Sequence, residues 1–317
     1  MTRFLLKRLG LALITLFLLS VIVFAVSTVL PGNVGRAVLG PFATQESVDA
    51  LNEQLGTNRS VFVQYVEWAG GLLHGDLGTS LTKQLPARDL LGPALSNSFK
   101  LAFVAFLICV PLSIVGGVIS GLRYGRPTDK AITIAGISFA AMPEFVTGIL
   151  LILVFSIWLG WLPVTAQWEE GANVLTQVKY LLLPAMTLTL VLFGYIARIT
   201  RAGMIEALDS DYARTAYLKG LPSSVVVRRH LLRNALLPTI AVVAVQIGYL
   251  VGGLVVVEVL FNYQGIGLLI YEAARQKDLP LLTAGVLVVG ITYLVVTLIA
   301  DILYALLNPR IRFGTAE

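Results

Sequence analysis

Six long apolar runs, separated by polar stretches, dominate the pattern of the chain. They fall at about 9–30, 99–122, 131–159, 181–203, 236–260 and 281–307. Each is long enough to cross a hydrocarbon core of about 30 Å at about 1.5 Å per residue. The pattern therefore predicts an all-α polytopic membrane protein with six transmembrane helices. The first run has a basic start (Arg3, Lys7, Arg8) and an Ala25-Val26-Ser27 sequence that imitates a signal-peptide cleavage site. Its apolar core exceeds the roughly 7–15 residues of a signal sequence. It is read as a retained span that also directs insertion.

Two polar stretches carry structure of their own. Residues 31–98 form the larger. Within them Thr44–Leu55 predicts a short amphipathic helix with Val48, Leu51 and Leu55 on one face and Gly56 as its stop. Ser60–Trp68 predicts another, with Val61, Tyr65 and Trp68 on one face; Gly70-Gly71, Gly75 and Gly78 are expected to break helix beyond it. About 65 residues is marginal for an independent domain, so this segment is expected to pack on the spans or on a partner. The Asn58-Arg59-Ser60 sequon is a chance match.

The second stretch, a polar island from Glu206 to Pro238, lies between two spans. Asp209 or Ser210 can cap a helix there, Gly220 can end it, and Pro222 sits where a second short helix can begin. A membrane protein that builds a helix-turn-helix outside the bilayer is equipped to dock something on it.

Composition agrees with this class. Apolar residues make up 57% and charged residues 13%, against about 25% charged in soluble domains. The net charge of +5 is no nucleic-acid signal, because the basic residues cluster beside spans. Lys and Arg concentrate in the N-terminus, the loop with Arg123, Arg126 and Lys130, the island (Arg198, Arg201, Arg214, Lys219, Arg228, Arg229, Arg233) and the tail (Arg310, Arg312). The positive-inside rule then places both termini and the island in the cytoplasm and residues 31–98 outside. Cys109, the single cysteine, excludes an intramolecular disulfide and a Cys-based zinc site within the chain.

Pro111, Gly116-Gly117, Pro143, Pro184, Gly248 and Gly252-Gly253 interrupt the spans. They serve as kinks and close-packing points or as hinges that let the bundle rock. Glu144, Glu258 and Asp301 lie in or near spans, where charge is costly. Glu258, Asn262 and Tyr249 are the candidates for a translocation pathway. No carboxylate or histidine series crosses the membrane. No G-x-x-x-x-G-K-[ST] phosphate loop, G-x-S-x-G elbow or H-E-x-x-H metal motif occurs. Neither catalytic nor metal-binding residues are assigned.

The island resembles the coupling loop, or EAA loop, of ABC-importer permeases, and more narrowly that of the dipeptide/oligopeptide branch. Asp211-Tyr212-Ala213-Arg214-Thr215-Ala216, then Lys219-Gly220-Leu221, then Arg229-His230-Leu231-Leu232-Arg233-Asn234-Ala235-Leu236-Leu237-Pro238 carry the likeness. Arg214-Thr215-Ala216 stands where the wider superfamily has Glu-Ala-Ala, and the I-x-L-P element of other branches is replaced by His230 to Arg233. The likeness extends to Arg3-Phe4 through Leu30-Pro31-Gly32, with Asn33 for the more usual Asp. It includes Leu55-Gly56, Gln64-Tyr65, Trp68 and Gly75-Asp76-Leu77-Gly78-Thr79-Ser80, which resemble the first, or B-type, permease subunit. It also covers Glu258 through Gly267 and Asp301 through Arg310.

The resemblance implies a type I ABC-importer permease. It would have an N-terminal end and first helix (1–30), an extracytoplasmic region (31–98) and a five-helix core (99–317) with the coupling loop at about 204–235. A short helix at about 213–220 would dock in a cleft of an ATPase. Asp211, Tyr212, Arg214, Thr215, Ala216, Lys219, Gly220 and Leu221 would make that contact, supported by Arg229, His230, Arg233, Asn234 and Pro238. Implied partners are a second homologous permease, two cytoplasmic ATP-binding subunits, an extracytoplasmic substrate-binding protein and the bilayer; nucleic acid is not among them. The chain itself would bind no cofactor, ATP and Mg residing on the ATPase. Peptides are the expected substrate. Nickel or its chelates, glutathione or an oligosaccharide would use the same architecture. An ion-coupled secondary transporter is the rival of another class, and a membrane enzyme is a third, disfavoured by the missing nucleophile and metal ligands.

Overall fold

A computed structural model describes residues 2–29, 34–40, 42–54, 56 and 59–307. The expectations at Leu30-Pro31-Gly32, Asn33, Leu55, Asn58 and Asn308-Pro309-Arg310 lie outside the described residues, as does Arg312 in the tail. The helices run α1 (Thr2–Val29), α2 (Val34–Leu39), α3 (Gln45–Gln54), α4 (Val61–Leu73), α5 (Ala87–Leu122), α6 (Pro127–Ala141) and α7 (Glu144–Leu151), the last continuing as π-helix over Ile152–Trp158. Then come α8 (Val174–Leu208), α9 (Asp211–Leu218), and α10 (Ser223–Val225), which runs into π-helical Val226–Leu231. The chain continues with α11 (Leu232–Leu260), α12 (Ile266–Arg275) and α13 (Leu279–Leu307). Among the described residues there is no strand, only an isolated bridge between Thr79 and Pro86. The fold is all-α, as the apolar pattern predicts.

Among the described residues five helices are long and apolar enough to cross a membrane, and the pair α6 and α7 makes a sixth span if its two halves are counted together. The third span is thus not the single helix expected over 131–159. It bends by 113° at Met142-Pro143. Met142 is extended (ψ 135°), as the pre-proline clash favours, Pro143 is extended (ψ 141°) as the N-cap of α7, and the proline nitrogen has no hydrogen to offer the preceding turn. Helix α5 begins twelve residues before the predicted span two. Its opening turns carry Arg88, Asp89 and Asn97, so the helix outruns its apolar stretch. Helix α4 continues through Gly70-Gly71, which were expected to stop it, and ends before Gly75 (φ 82°). A glycine costs a helix only about 1 kcal/mol relative to alanine. Tyr65 and Trp68 pack on Phe24 and hold α4 in place over that region.

Packing divides the chain into two compact units. The first comprises residues 1–98 and 264–294. Its core joins Ala87, Leu91 and Ala94 of α5 to Ile266, Leu269 and Ala273 of α12 and Leu281 and Ala284 of α13. Beside it Asp278, fully buried just before α13, accepts five hydrogen bonds. They come from the Ser80 hydroxyl (2.5 Å), the Thr82 hydroxyl (2.7 Å) and the amides of Leu81, Thr82 and Leu281. Burial alone would raise this carboxyl. The Ser80 and Thr82 hydroxyls and the Thr82 and Leu81 amides outweigh it and hold the group below the usual carboxylate range.

The second unit comprises residues 99–263 and 295–317. Helix α8 is its hub. Leu181, Leu183, Leu188, Leu192 and Ile196 are buried against Leu101, Ala105 and Cys109 of α5 and Leu250, Leu254 and Val257 of α11. Asn173 caps α8, its side chain accepting from the Thr176 amide at 2.8 Å. Pro184 lies inside α8 and Pro238 inside α11. The Thr200 and Thr239 hydroxyls meet at 3.1 Å and join the two helices. This unit carries the polar island.

Candidate functional site

Helix α8 ends at Leu208, and Asp209 is its C-cap. The cap of the next helix is Ser210, whose hydroxyl accepts from the Ala213 amide at 3.4 Å. Helix α9 covers Asp211–Leu218, two residues earlier at each end than the 213–220 expected. Its far end closes by a Schellman motif: the Gly220 amide donates to Tyr217 O at 3.0 Å and the Leu221 amide to Ala216 O at 3.4 Å. Gly220 has φ 72°, in the left-handed region. A Cβ added there would meet nothing within 4 Å, so conformation and not space requires glycine.

The two faces of α9 differ. Ala213 (0% exposed) and Ala216 (5%) are buried in a cluster with Met204, Ala207, Val226, Leu231 and Ala235, against which Leu221 also packs. Asp211, Tyr212, Arg214, Thr215, Tyr217, Leu218 and Lys219 are exposed, Leu218 by 82%. Small residues on the inner face bring α9 onto its support, while charged, aromatic and apolar groups project outward together. That surface suits a protein partner: aromatic and apolar anchors beside two cations.

The support is the π-helical Val226–Leu231 and the start of α11. Arg228, Arg229, Arg233, Asn234 and Pro238 are exposed; His230 is half-buried. Asn234 and Pro238 line a pocket of about 260 Å³ with Glu206, Ser210 and Tyr212. Helices α8 and α11 touch closely there. A Cβ on Gly203 would stand 2.3 Å from Ala235 O, so that crossing admits no side chain.

One arrangement near the island is missed by the sequence reading. Asp129, at the start of α6, is 3% exposed. It accepts a bidentate pair from Arg201 of α8 (Nε 2.6 Å, Nη2 2.9 Å), the Ser120 hydroxyl (2.5 Å) and the Gly125 amide (2.9 Å). The Arg201 guanidinium also lies 5.1 Å over the Tyr124 ring. The cluster pins the turn between α5 and α6 to α8, seven residues before α8 ends. The sequence pattern counts Arg201 among the island's basic residues and singles out nothing at Asp129. The spacing from 129 to 201 gives no local signal for the pair.

Glu258 is fully buried and Asn262 is exposed, with φ 50°, in the turn that follows α11. Tyr263 beside them is buried and packs on Trp168 at 5.8 Å. The side chain of Tyr249 lies outside the described residues.

Comparison with known proteins gives a consistent picture. A model of binding-protein-dependent transport system inner membrane components matches residues 113–313, and a model of the N-terminal part of such components matches residues 1–100. The glutathione transport system permease protein GsiC of Escherichia coli K12 is 34% identical over 316 residues, covering 99% of this chain and all of that one. A probable peptide ABC transporter permease protein, y4tP of Sinorhizobium fredii, is 32% identical over 311 residues, 98% of this chain and 99% of that one. Among solved structures, an amino acid ABC transporter crystallised with histidines superposes with a TM-score of 0.51 at 18% identity, covering 70% of this chain and 94% of that one. That last likeness is one of fold.

Proposed function

The chain belongs to the family of binding-protein-dependent transport system inner membrane components, and from that premise we propose that it is one of two permease subunits of an ATP-driven importer of dipeptides or short oligopeptides. The observation that carries the coupling role is α9: a helix closed at both ends, fused to the bundle by alanines and exposed on its outer face. Arg214 and Lys219 would pair with acidic residues of an ATP-binding subunit, with Tyr217 and Leu218 as apolar anchors. ATP and Mg would bind that subunit, since this chain has no phosphate-loop sequence. Closure of two such subunits would draw α9 and, through α8 and α11, the spans. A second homologous permease would complete the pathway, and an extracytoplasmic binding protein would deliver substrate. The lysine and arginine distribution supports a cytoplasmic location for α9 and both termini.

The peptide reading rests on the y4tP relative and on the coupling-loop motif. Glutathione is the second reading, favoured by the full-length likeness to GsiC. Both are tested together. The chain is purified in mild detergent, its companions are identified by mass spectrometry, and the assembly is reconstituted with its binding protein. Recovery of a second permease and ATP-binding subunits, lost on Arg214→Glu with Gly220→Asp, is the expected result. Uptake competed by dipeptides but not by glutathione supports the first substrate, and the converse the second. A chain recovered alone that transports without ATP would overturn the coupling role.

A further inference from the structure

Helix α4 stands outside the account of the coupling surface. It is 13 residues long, which at 1.5 Å per residue is about 20 Å, too short to cross a core of about 30 Å. Its residues fall in three sectors. Tyr65 and Trp68 face α1: their rings lie 5.4 and 5.3 Å from that of Phe24, and the Tyr65 hydroxyl meets the Ser20 hydroxyl at 2.8 Å. Gln64 and Glu67 form a polar sector, in which Arg59 pairs with Glu67 and Gln64 donates to Arg59 O. Phe62, Val66 and Leu73, at helical spacing on one side, are 75%, 51% and 89% exposed.

The contacts with α1 fix the depth of α4. The apolar run carried by α1, at about 9–30, is about 33 Å long as a helix, which matches the hydrocarbon core. Thr28, near the end of that run, therefore lies close to one boundary. The opening of α13 is at the same level, since Thr28, Leu279 and Pro280 line one cavity with Phe24 and Trp68. Ser20 lies eight residues below Thr28, about 12 Å along the helix and still about 9 Å below the boundary at a 40° tilt. A side chain that hydrogen-bonds Ser20 reaches into the bilayer.

We propose that α4 is an interfacial membrane helix, embedded beside α1 in the leaflet at the Thr28 end, with Phe62, Val66 and Leu73 turned to phospholipid acyl chains. Its polar sector lies roughly opposite that stripe, as an amphipathic helix lying in the interface requires. Phe17, Val21, Ile22 and Val26 of α1 are exposed apolar residues as well. Membrane lipid, rather than a soluble partner, covers the stripe. The placement depends only on the register of α1 and not on the transport reading.

The test uses the full chain in a Cys109→Ala background, purified with the subunits that accompany it and reconstituted in liposomes. Phe62→Cys, Val66→Cys, Leu73→Cys and Glu67→Cys each receive a bimane fluorophore. The labels at 62, 66 and 73 should lose most of their fluorescence to phospholipids brominated on the acyl chains and little to aqueous iodide, and the label at 67 the reverse. Equal iodide quenching at all four positions would overturn the proposal by showing a helix in water. Protection of the stripe from both quenchers would overturn it by showing cover from another protein chain. Should one cysteine prevent recovery of the chain, the other two positions report the same face.

Discussion

Gly220 offers the cleanest separation of backbone conformation from packing. Its φ of 72° closes the Schellman motif of α9, yet a Cβ there would enter open space. Every consequence of substitution must then come from the left-handed backbone, at about 1–2 kcal/mol for a residue with a Cβ. Asparagine visits this region most readily, alanine less, and β-branched valine least. One to two kcal/mol is a factor of about 5–30 in an equilibrium. That factor is the upper limit on loss of affinity, reached where closure of the motif is already marginal, and isolated helices below about 12 residues are marginal in water. The assay titrates the ATP-binding subunits that co-purify with the wild-type chain onto reconstituted Gly220→Asn, Gly220→Ala and Gly220→Val. Affinity should fall in that order. Wild-type affinity for Gly220→Val, or equal losses for asparagine and valine, would refute the conformational argument.

The Asp129–Arg201 pair should show the asymmetry of buried ion pairs. Asp129→Asn or Arg201→Met alone strands a charge and lowers stability by about 3–5 kcal/mol, while Asp129→Leu combined with Arg201→Met recovers much of it. Thermal unfolding in detergent reads the difference, and a double variant no better than either single one would contradict it. Asp278 gives a pH dependence of known sign. Its folded-state carboxyl is depressed, so the stabilisation is complete above the unfolded value of about 3.9 and is lost as pH falls through the lower folded value. Stability of this contact should thus be flat from pH 7 to pH 5. Asp278→Asn, which turns one acceptor oxygen into a donor facing Ser80 and Thr82 or the Leu81 and Leu281 amides, should cost about 2–3 kcal/mol at neutral pH. Amide exchange at Leu81 and Thr82, followed by mass spectrometry, checks both.

The local signals were legible in the sequence and the distant ones were not. Ser210, Gly220 and Pro222 each act at the backbone position that their chemistry favours, because caps and left-handed turns depend on a few neighbouring atoms. Ala216, expected at the ATPase contact, is instead buried with Ala213 on the inner face of α9, because small residues are what let that helix approach its support. Ser80 meets Asp278 across 198 residues and Arg201 meets Asp129 across 72. Their residue types look like ordinary loop polarity until the fold brings them together. Helix boundaries failed for a related reason. Apolar runs mark where lipid would be, whereas α5 and α8 extend into polar sequence at their ends because backbone hydrogen bonding continues there. The break at Pro143 was marked by the residue, but its 113° size depends on the packing of both halves.

A helix that transmits force must be fixed on one side and replaceable on the other. Long, flexible side chains on the inner face of α9 would let it shift before the bundle moved, since rotamer changes absorb displacement. Alanines have no rotamers to change. Ala213 and Ala216, buried beside Met204 and Ala207 of α8 and Leu231 and Ala235 next to it, leave little slack. The caps at Ser210 and Gly220 keep α9 from unwinding into its connections. The Asp129–Arg201 cluster continues the stiff path by binding α8 to the turn between α5 and α6. The outer face carries the opposite character: Arg214, Lys219, Tyr217 and Leu218 are exposed and adaptable, suited to a partner that docks through charge and apolar anchors. On the proposed reading, enlarging Ala216 to leucine should impair the coupling of ATP hydrolysis to uptake more than it impairs subunit binding. Arg214→Ala should do the reverse. ATP consumed per substrate imported, measured beside binding affinity, separates the two. Parallel loss of both quantities in both variants would show that the faces are not divided in this way.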